Sequence, residues 1–90
     1  MVTYRVVYSK YALKDIPKLK AARLDDKAKR LIELLRNDPF SQSPPYEKLV
    51  GDLQGTFSRR INIKHRLVYE VFEEEMTVRV LSMWSHYERL

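Results

Sequence analysis

The chain has no cysteine and only two glycines, Gly51 and Gly55. Without cysteine it can form no disulfide, carry no thiol nucleophile and build no cysteine metal site, a pattern that points to a cytoplasmic protein. Two glycines are too few for a glycine-rich phosphate loop. The only two histidines, His65 and His86, lie far apart without HxH or HExxH spacing, so neither a metal site nor a metal cofactor is expected. No serine sits in a nucleophile elbow. No apolar run nears the roughly 20 residues of a membrane helix, so no membrane partner is expected. The opening "MVTYRVVYSK" lacks the charged-then-apolar order of a signal peptide.

The 90 residues, 44% hydrophobic and 32% charged, describe one globular domain over 1–90. A core of that size leaves no room for a large enclosed cavity, so an active site should be an open groove. The net charge is +5 and unevenly spread: residues 1–36 hold ten Lys/Arg against four Asp/Glu, residues 37–90 seven against eight. A basic front half of this kind points to an anionic partner, nucleic acid first.

"VTYRVVYS" reads as a strand over residues 2–8. Ser9 is a good N-cap for "KYALKDIPKLKAARL", where Leu13, Ile16 and Leu19 recur at helical spacing and Pro17 should kink or divide the helix. In "DDKAKRLIELLRND", Asp25 or Asp26 can cap a second helix with an apolar stripe at Leu24, Ala28, Leu31 and Leu35. Its other face carries Lys27, Lys29 and Arg30, either solvated charges or docking charges, and Pro39 ends it. A loop with three prolines follows, then a short extended piece and a tight turn around the two glycines. "TFSRRINI", "HRLVYEVFE" and "MTVRVLSMW" read as three strands, the last two joined by the polar turn "EEE". The expected fold is α+β: an N-terminal strand, two helices, then a three-stranded antiparallel meander, in one sheet with the helices on one face. Alternation places Leu67, Tyr69 and Val71 on one face and Arg66, Val68, Glu70 and Phe72 on the other, with Arg59 and Arg60 on opposite faces. The second face should be open, with an arginine at its centre. Tyr4, Tyr8, Tyr11 and Tyr69 read as packing residues, and Trp84 as packing beneath whatever follows it.

The second half of the chain gathers Glu47, Lys48, Arg59, Arg60, His65, Arg66, His86 and Tyr87. Cleavage of RNA without a metal needs little more. The strand supplies its own nucleophile, the 2′-OH. A carboxylate can take its proton, arginines can neutralise the phosphorane, an imidazole can protonate the leaving oxygen, and aromatic rings can stack on unpaired bases. His65 can be read as a second imidazole of the site or as the plain start of a strand.

"PPYEKLVGDLQGTFSRRINIKHRLVYEV", followed by "MWSHYE", resembles the YoeB/Txe branch of the RelE superfamily of toxin–antitoxin toxins. The likeness runs from "YSKYALKDIPKL" to "HYE". Its most specific pieces are "SRRI" with "HRLVY" just after it, the preceding L-x-G and the closing "HY". The resemblance implies the strand–helix–helix–meander fold and an endoribonuclease, an mRNA interferase that cleaves messages in the ribosomal A site. It maps a catalytic glutamate onto Glu47, a catalytic arginine onto Arg66, a general-acid histidine onto His86 and its neighbour onto Tyr87. It also maps RNA-holding basic residues onto Arg59 and Arg60, with Lys48 close to a basic position that is Val50 in this chain. Lys48 should point away from Glu47 in an extended strand. The partners implied are a cognate antitoxin, the 70S ribosome with its mRNA and a second copy in a homodimer. The same superfamily fold also serves toxins that bind DNA gyrase without cleaving RNA, and a basic domain can be a plain nucleic-acid-binding module.

Overall fold

The structure, a computed structural model, describes residues 3–42, 45–48 and 55–84. Its elements run β1 (Arg5–Tyr8), α1 (Lys10–Ala21), α2 (Asp25–Asn37), β2 (Glu47–Lys48), β3 (Thr56–Arg60), β4 (Arg66–Phe72) and β5 (Thr77–Ser82). They form one five-stranded sheet in the order β1-β5-β4-β3-β2. The three-strand meander is β3–β4–β5, antiparallel throughout, and β1 adds to its edge parallel to β5. The short extended piece before the glycines is itself a strand: β2 pairs antiparallel with β3, through Glu47–Ser58 and Lys48–Phe57. "EEE" forms a single 3₁₀ turn, and Met76 closes it in the left-handed region at φ 49°. Gly55 enters β3 at φ +91°, a conformation that favours glycine. Gly51 and Val50 lie outside the described residues.

Ser9 does cap α1: its Oγ accepts from the Ala12 N–H at 3.1 Å. The same hydroxyl donates to the Leu81 carbonyl at 2.7 Å. Leu81 is the extra residue of a bulge in β5, between the pairs Tyr69–Val80 and Val68–Ser82. A bulge leaves one residue outside the ladder, and Ser9 satisfies its carbonyl from the start of the helix.

Pro17 does not divide α1, which runs unbroken over twelve residues. The bond it cannot make, to the Leu13 carbonyl, falls on the exposed side, where water can replace it. The buried face is also rotated from the expected one. Leu13 is 54% exposed, and Ala12, Asp15 and Leu19 face inward instead, with Ile16 half-buried. Tyr11, expected to pack, is 72% exposed. In α2 the expected stripe holds, with Ala28, Leu31 and Leu35 buried. Neither Asp25 nor Asp26 caps it. Leu24 occupies the N-cap position without a side-chain bond, and both aspartates sit in the first turn, where they favour the helix through its dipole.

The helices meet the sheet through Leu19, Leu31 and Leu35 on one side and Leu67, Tyr69, Val78 and Val80 on the other. The opposite face is not open at its centre, as its alternation implied. Ser58 and Val68 are 0% exposed and Ser82 is 3% exposed. Part of the reason is the arginine itself: Arg66 lies back over β3 and covers Ser58. Among the described residues, no helix is long and apolar enough to cross a membrane.

Candidate active site

Glu47 and Arg66 stand on non-adjacent strands, yet the sheet brings them together. In the register, Glu47 faces Ser58 and Arg66 faces Arg60. All four therefore project from the face opposite the helices. Arg66 Nη2 lies 3.3 Å from Glu47 Oε1, and Arg66 Nη1 donates to Ser58 Oγ at 3.2 Å. The guanidinium is largely sunk, with the Arg66 side chain 13% exposed, while the Glu47 side chain remains 56% exposed. An ion pair this open adds at most about 1 kcal/mol to stability. Its consequence is geometric: a fixed cation beside a carboxylate that solvent and ligand can reach.

Arg60 and Arg66 are direct cross-strand partners. Like charges directly opposite one another in a sheet destabilise it by a few tenths of a kcal/mol or more. A bound anion would relieve that repulsion. Both line a groove of about 640 Å³ whose walls include Glu47, Ser58, Asn62 and Ile63, the last 83% exposed. This is an open groove with an acid, two cations and a hydroxyl, as the chain length required.

β2 has only two residues, so its position needs another explanation. Tyr46, one residue before Glu47, points to the other face. It packs edge-on against Phe57 and Phe40, with ring centroids 5.5 and 6.4 Å away, and Phe57 stacks on Tyr69 at 5.6 Å. Beneath them lies Arg59, 0% exposed. Its guanidinium sits 5.1 Å from the Tyr46 ring centroid, and it donates to the Tyr69 hydroxyl at 3.0 Å and to the carbonyls of Pro39 and Ser41 at 3.0 and 2.7 Å. Tyr69 in turn donates to the Pro39 carbonyl at 3.0 Å. This cluster binds the loop after α2 to the sheet and sets the strand that carries Glu47. Burial pushes the Tyr69 phenol above its ordinary value, against the opposing charge and hydrogen bond of Arg59.

Arg59, read from the sequence as an RNA contact, is thus corrected: it is buried on the helix face and holds backbone, because strand alternation turned it inward. Lys48 is exposed but pairs with Phe57, and the alternation of β2 turns it away from the Glu47 face. It does not line the groove. Arg60 does. His86 and Tyr87 lie outside the described residues.

His65, immediately before Arg66, is half-buried. Its ring stacks on Trp84, with centroids 4.0 Å apart and planes 18° from parallel, and its Nδ1 is hydrogen-bonded to the Trp84 carbonyl. No sequence pattern pairs these two residues, and no motif singles out Tyr46 or Ser58. For Tyr46 and Ser58 a signal was available: alternation from Glu47 and from Arg59 assigns each its face.

A mixed sheet with two helices on one face, and an acid–arginine groove on the other, is the architecture of a small RelE-fold toxin. A family model described as the YoeB-like toxin of bacterial type II toxin–antitoxin systems matches residues 5–87. The chain belongs to that family. Among curated relatives, toxin YoeB of Mycobacterium bovis is 47% identical over 49 residues, which cover 54% of this chain and 58% of that protein. Among solved structures, a YoeB/ParE toxin from Agrobacterium tumefaciens superposes with a TM-score of 0.83 at 30% identity, covering 92% of this chain and 99% of that one. A YoeB–YefM complex from Staphylococcus aureus gives 0.77 at 30% identity, covering 93% and 98%.

Proposed function

We propose that this chain is an endoribonuclease toxin that cleaves mRNA in the ribosomal A site and so inhibits translation. The observation that carries the reading is the Glu47–Arg66 pair, 3.3 Å apart at the rim of a groove that also holds Arg60. Glu47 accepts the proton of the 2′-OH. The freed oxygen attacks the adjacent phosphorus, and the 5′-oxygen of the next nucleotide leaves as the 2′,3′-cyclic phosphate forms. Arg66 and Arg60 stabilise the added negative charge on the phosphorane. His86 supplies the proton to the leaving oxygen, and Tyr87 orients the neighbouring base. No step requires a metal or a cofactor.

The partner of the resting toxin is a cognate antitoxin. The S. aureus relative was solved with one, YefM, and a net charge of +5 suits an acidic binding segment. The ribosome is the partner of the active toxin, its RNA attracted by the exposed Lys27, Lys29 and Arg30 of α2.

The test is single-turnover cleavage of a defined message on programmed bacterial ribosomes. Glu47→Gln keeps the size of the side chain and removes the base. It should fold normally and cleave about 10²–10⁴-fold more slowly, the usual contribution of a general base. Cleavage at the wild-type rate would exclude Glu47 from the chemistry.

A further inference from the structure

The groove beside Glu47 changes character along its length. Its charged part lies where Arg60 and Arg66 face each other as the last pair of the β3–β4 ladder. Residues 61–65 then join the two strands, and Ile63 is their midpoint. Ile63 lines the same groove and is 83% exposed. A lone exposed apolar residue is ordinary on a protein surface. This one differs because it shares a groove with two cations and a carboxylate.

The loop that presents Ile63 is ordered by its own hydrogen bonds. The Asn62 side-chain oxygen accepts from the backbone N–H groups of Lys64 and His65, at 2.9 and 2.7 Å. The His65 carbonyl accepts from the N–H groups of Ile61 and Asn62, at 2.9 and 3.2 Å. At the two ends of the loop, Ile61 is buried in the core and His65 stacks on Trp84. None of these contacts uses the Ile63 side chain. The isoleucine is therefore held out to solvent on a fixed backbone. A ligand that covers it removes apolar surface from water and has little loop motion to freeze.

We propose that Ile63 forms a base subsite of the groove: it packs against one nucleobase of the RNA whose phosphate lies against Arg60 and Arg66. The inference rests on the reading of this groove as an RNA site. A nucleotide is an anion joined through a sugar to a flat ring with apolar faces. The groove offers the same order of chemistries, a pair of cations and then an exposed aliphatic side chain. The side chain is β-branched and stiff at χ1, so its surface is already in place before the base arrives. Ile63 has no donor or acceptor with which to read a base edge. The subsite therefore takes any of the four bases, since each has an apolar face.

The test is a double-mutant cycle between protein and message, read as single-turnover cleavage on programmed 70S ribosomes. The base is removed from one nucleotide of the A-site codon at a time, leaving sugar and phosphate in place. At one position this should slow the wild type about 3- to 10-fold, a modest coupling between groups in contact. Ile63→Ala should slow cleavage of the intact message by a similar factor. In that variant, base removal at the same position should cost no more than about twofold further. Ile63→Leu conserves the apolar volume and should cut within about twofold of the wild-type rate. Because Ile63 is exposed, Ile63→Ala should unfold in urea as the wild type does.

A wild-type rate in Ile63→Ala, equal losses in Ile63→Ala and Ile63→Leu, or losses that multiply at every codon position would each overturn the inference. Should Ile63→Ala unfold more readily than the wild type, Ile63→Thr, which keeps the branched shape and adds a hydroxyl, takes its place, and the same outcomes decide. The subsite and the chemistry fail separately. If Glu47→Gln cuts at the wild-type rate, the proposed chemistry fails. If Glu47→Gln is slow while no base couples to Ile63, only the base subsite fails. If the wild type cuts no message, both fail together.

Discussion

Arg59 shows how one residue can be given the right importance and the wrong task. As part of "SRRI" it resembles an RNA contact, and by alternation it had to face away from Arg60. The structure puts that second fact first: Arg59 is fully buried and bonded to Tyr69, Pro39 and Ser41. The sequence could show which face Arg59 takes, but not that the loop after α2 would supply carbonyls to receive it. Its partner Tyr69 offers a test. The folded-state pKa of the phenol lies above its unfolded value of about 10, so the folded form holds its proton more tightly. Stability from this group is therefore complete below pH 10 and declines as pH rises beyond it. Tyr69→Phe removes a hydroxyl bonded on both sides and should cost about 1–2 kcal/mol at neutral pH. In urea titrations across pH 8 to 11, the wild type should lose more stability above pH 10 than Tyr69→Phe. Parallel curves would show that Tyr69 does not govern the alkaline limb.

At the scale of elements, the sequence was most legible where a pattern repeats. The α2 stripe, the β3–β4–β5 meander and the N-cap at Ser9 all follow from spacing and local chemistry. The rotation of α1 did not, because the helix turns a carboxylate inward. Asp15 is buried for the Met83 N–H, a partner 68 positions away, and no local pattern announces it. β2 was foreseen only as a short extended piece, since two residues carry too little periodicity to mark a strand. Its place comes from Tyr46 packing on Phe57 and from its ladder with β3. The cap at Ser9 carries a prediction of its own. A helix cap alone contributes about 1 kcal/mol, and here the hydroxyl also serves a bulge carbonyl. Ser9→Ala should therefore cost about 1.5–2 kcal/mol by urea unfolding. A loss under about 0.5 kcal/mol would mean that the bulge carbonyl finds water instead.

Over the whole molecule, the proposed chemistry and the basic charge fall on different parts of the chain. The first 36 residues hold most of the excess basic charge, and Lys27, Lys29 and Arg30 are exposed on α2. The second half supplies Glu47, Arg60 and Arg66 to one groove on the far side of the sheet. The fold joins them by placing β1 and α1 against β5, the strand that leads to Trp84, with α2 packed on β1 and α1. The resemblance to known toxins maps separate catalytic roles onto Glu47 and Arg66, and the sheet register supplies the reason they meet. His86 and Tyr87, outside the described residues, keep their roles as part of the proposed mechanism.

The central step of the proposed reaction is attack by the message's own 2′-OH, with Glu47 as the base. The most direct measurement is the chemical identity of the new 3′ end when wild-type protein cuts a defined message on the ribosome. The mechanism predicts a 2′,3′-cyclic phosphate on the upstream fragment and a free 5′-hydroxyl on the downstream one. A 3′-hydroxyl facing a 5′-phosphate would mean that water was the nucleophile, and would contradict the role given to Glu47.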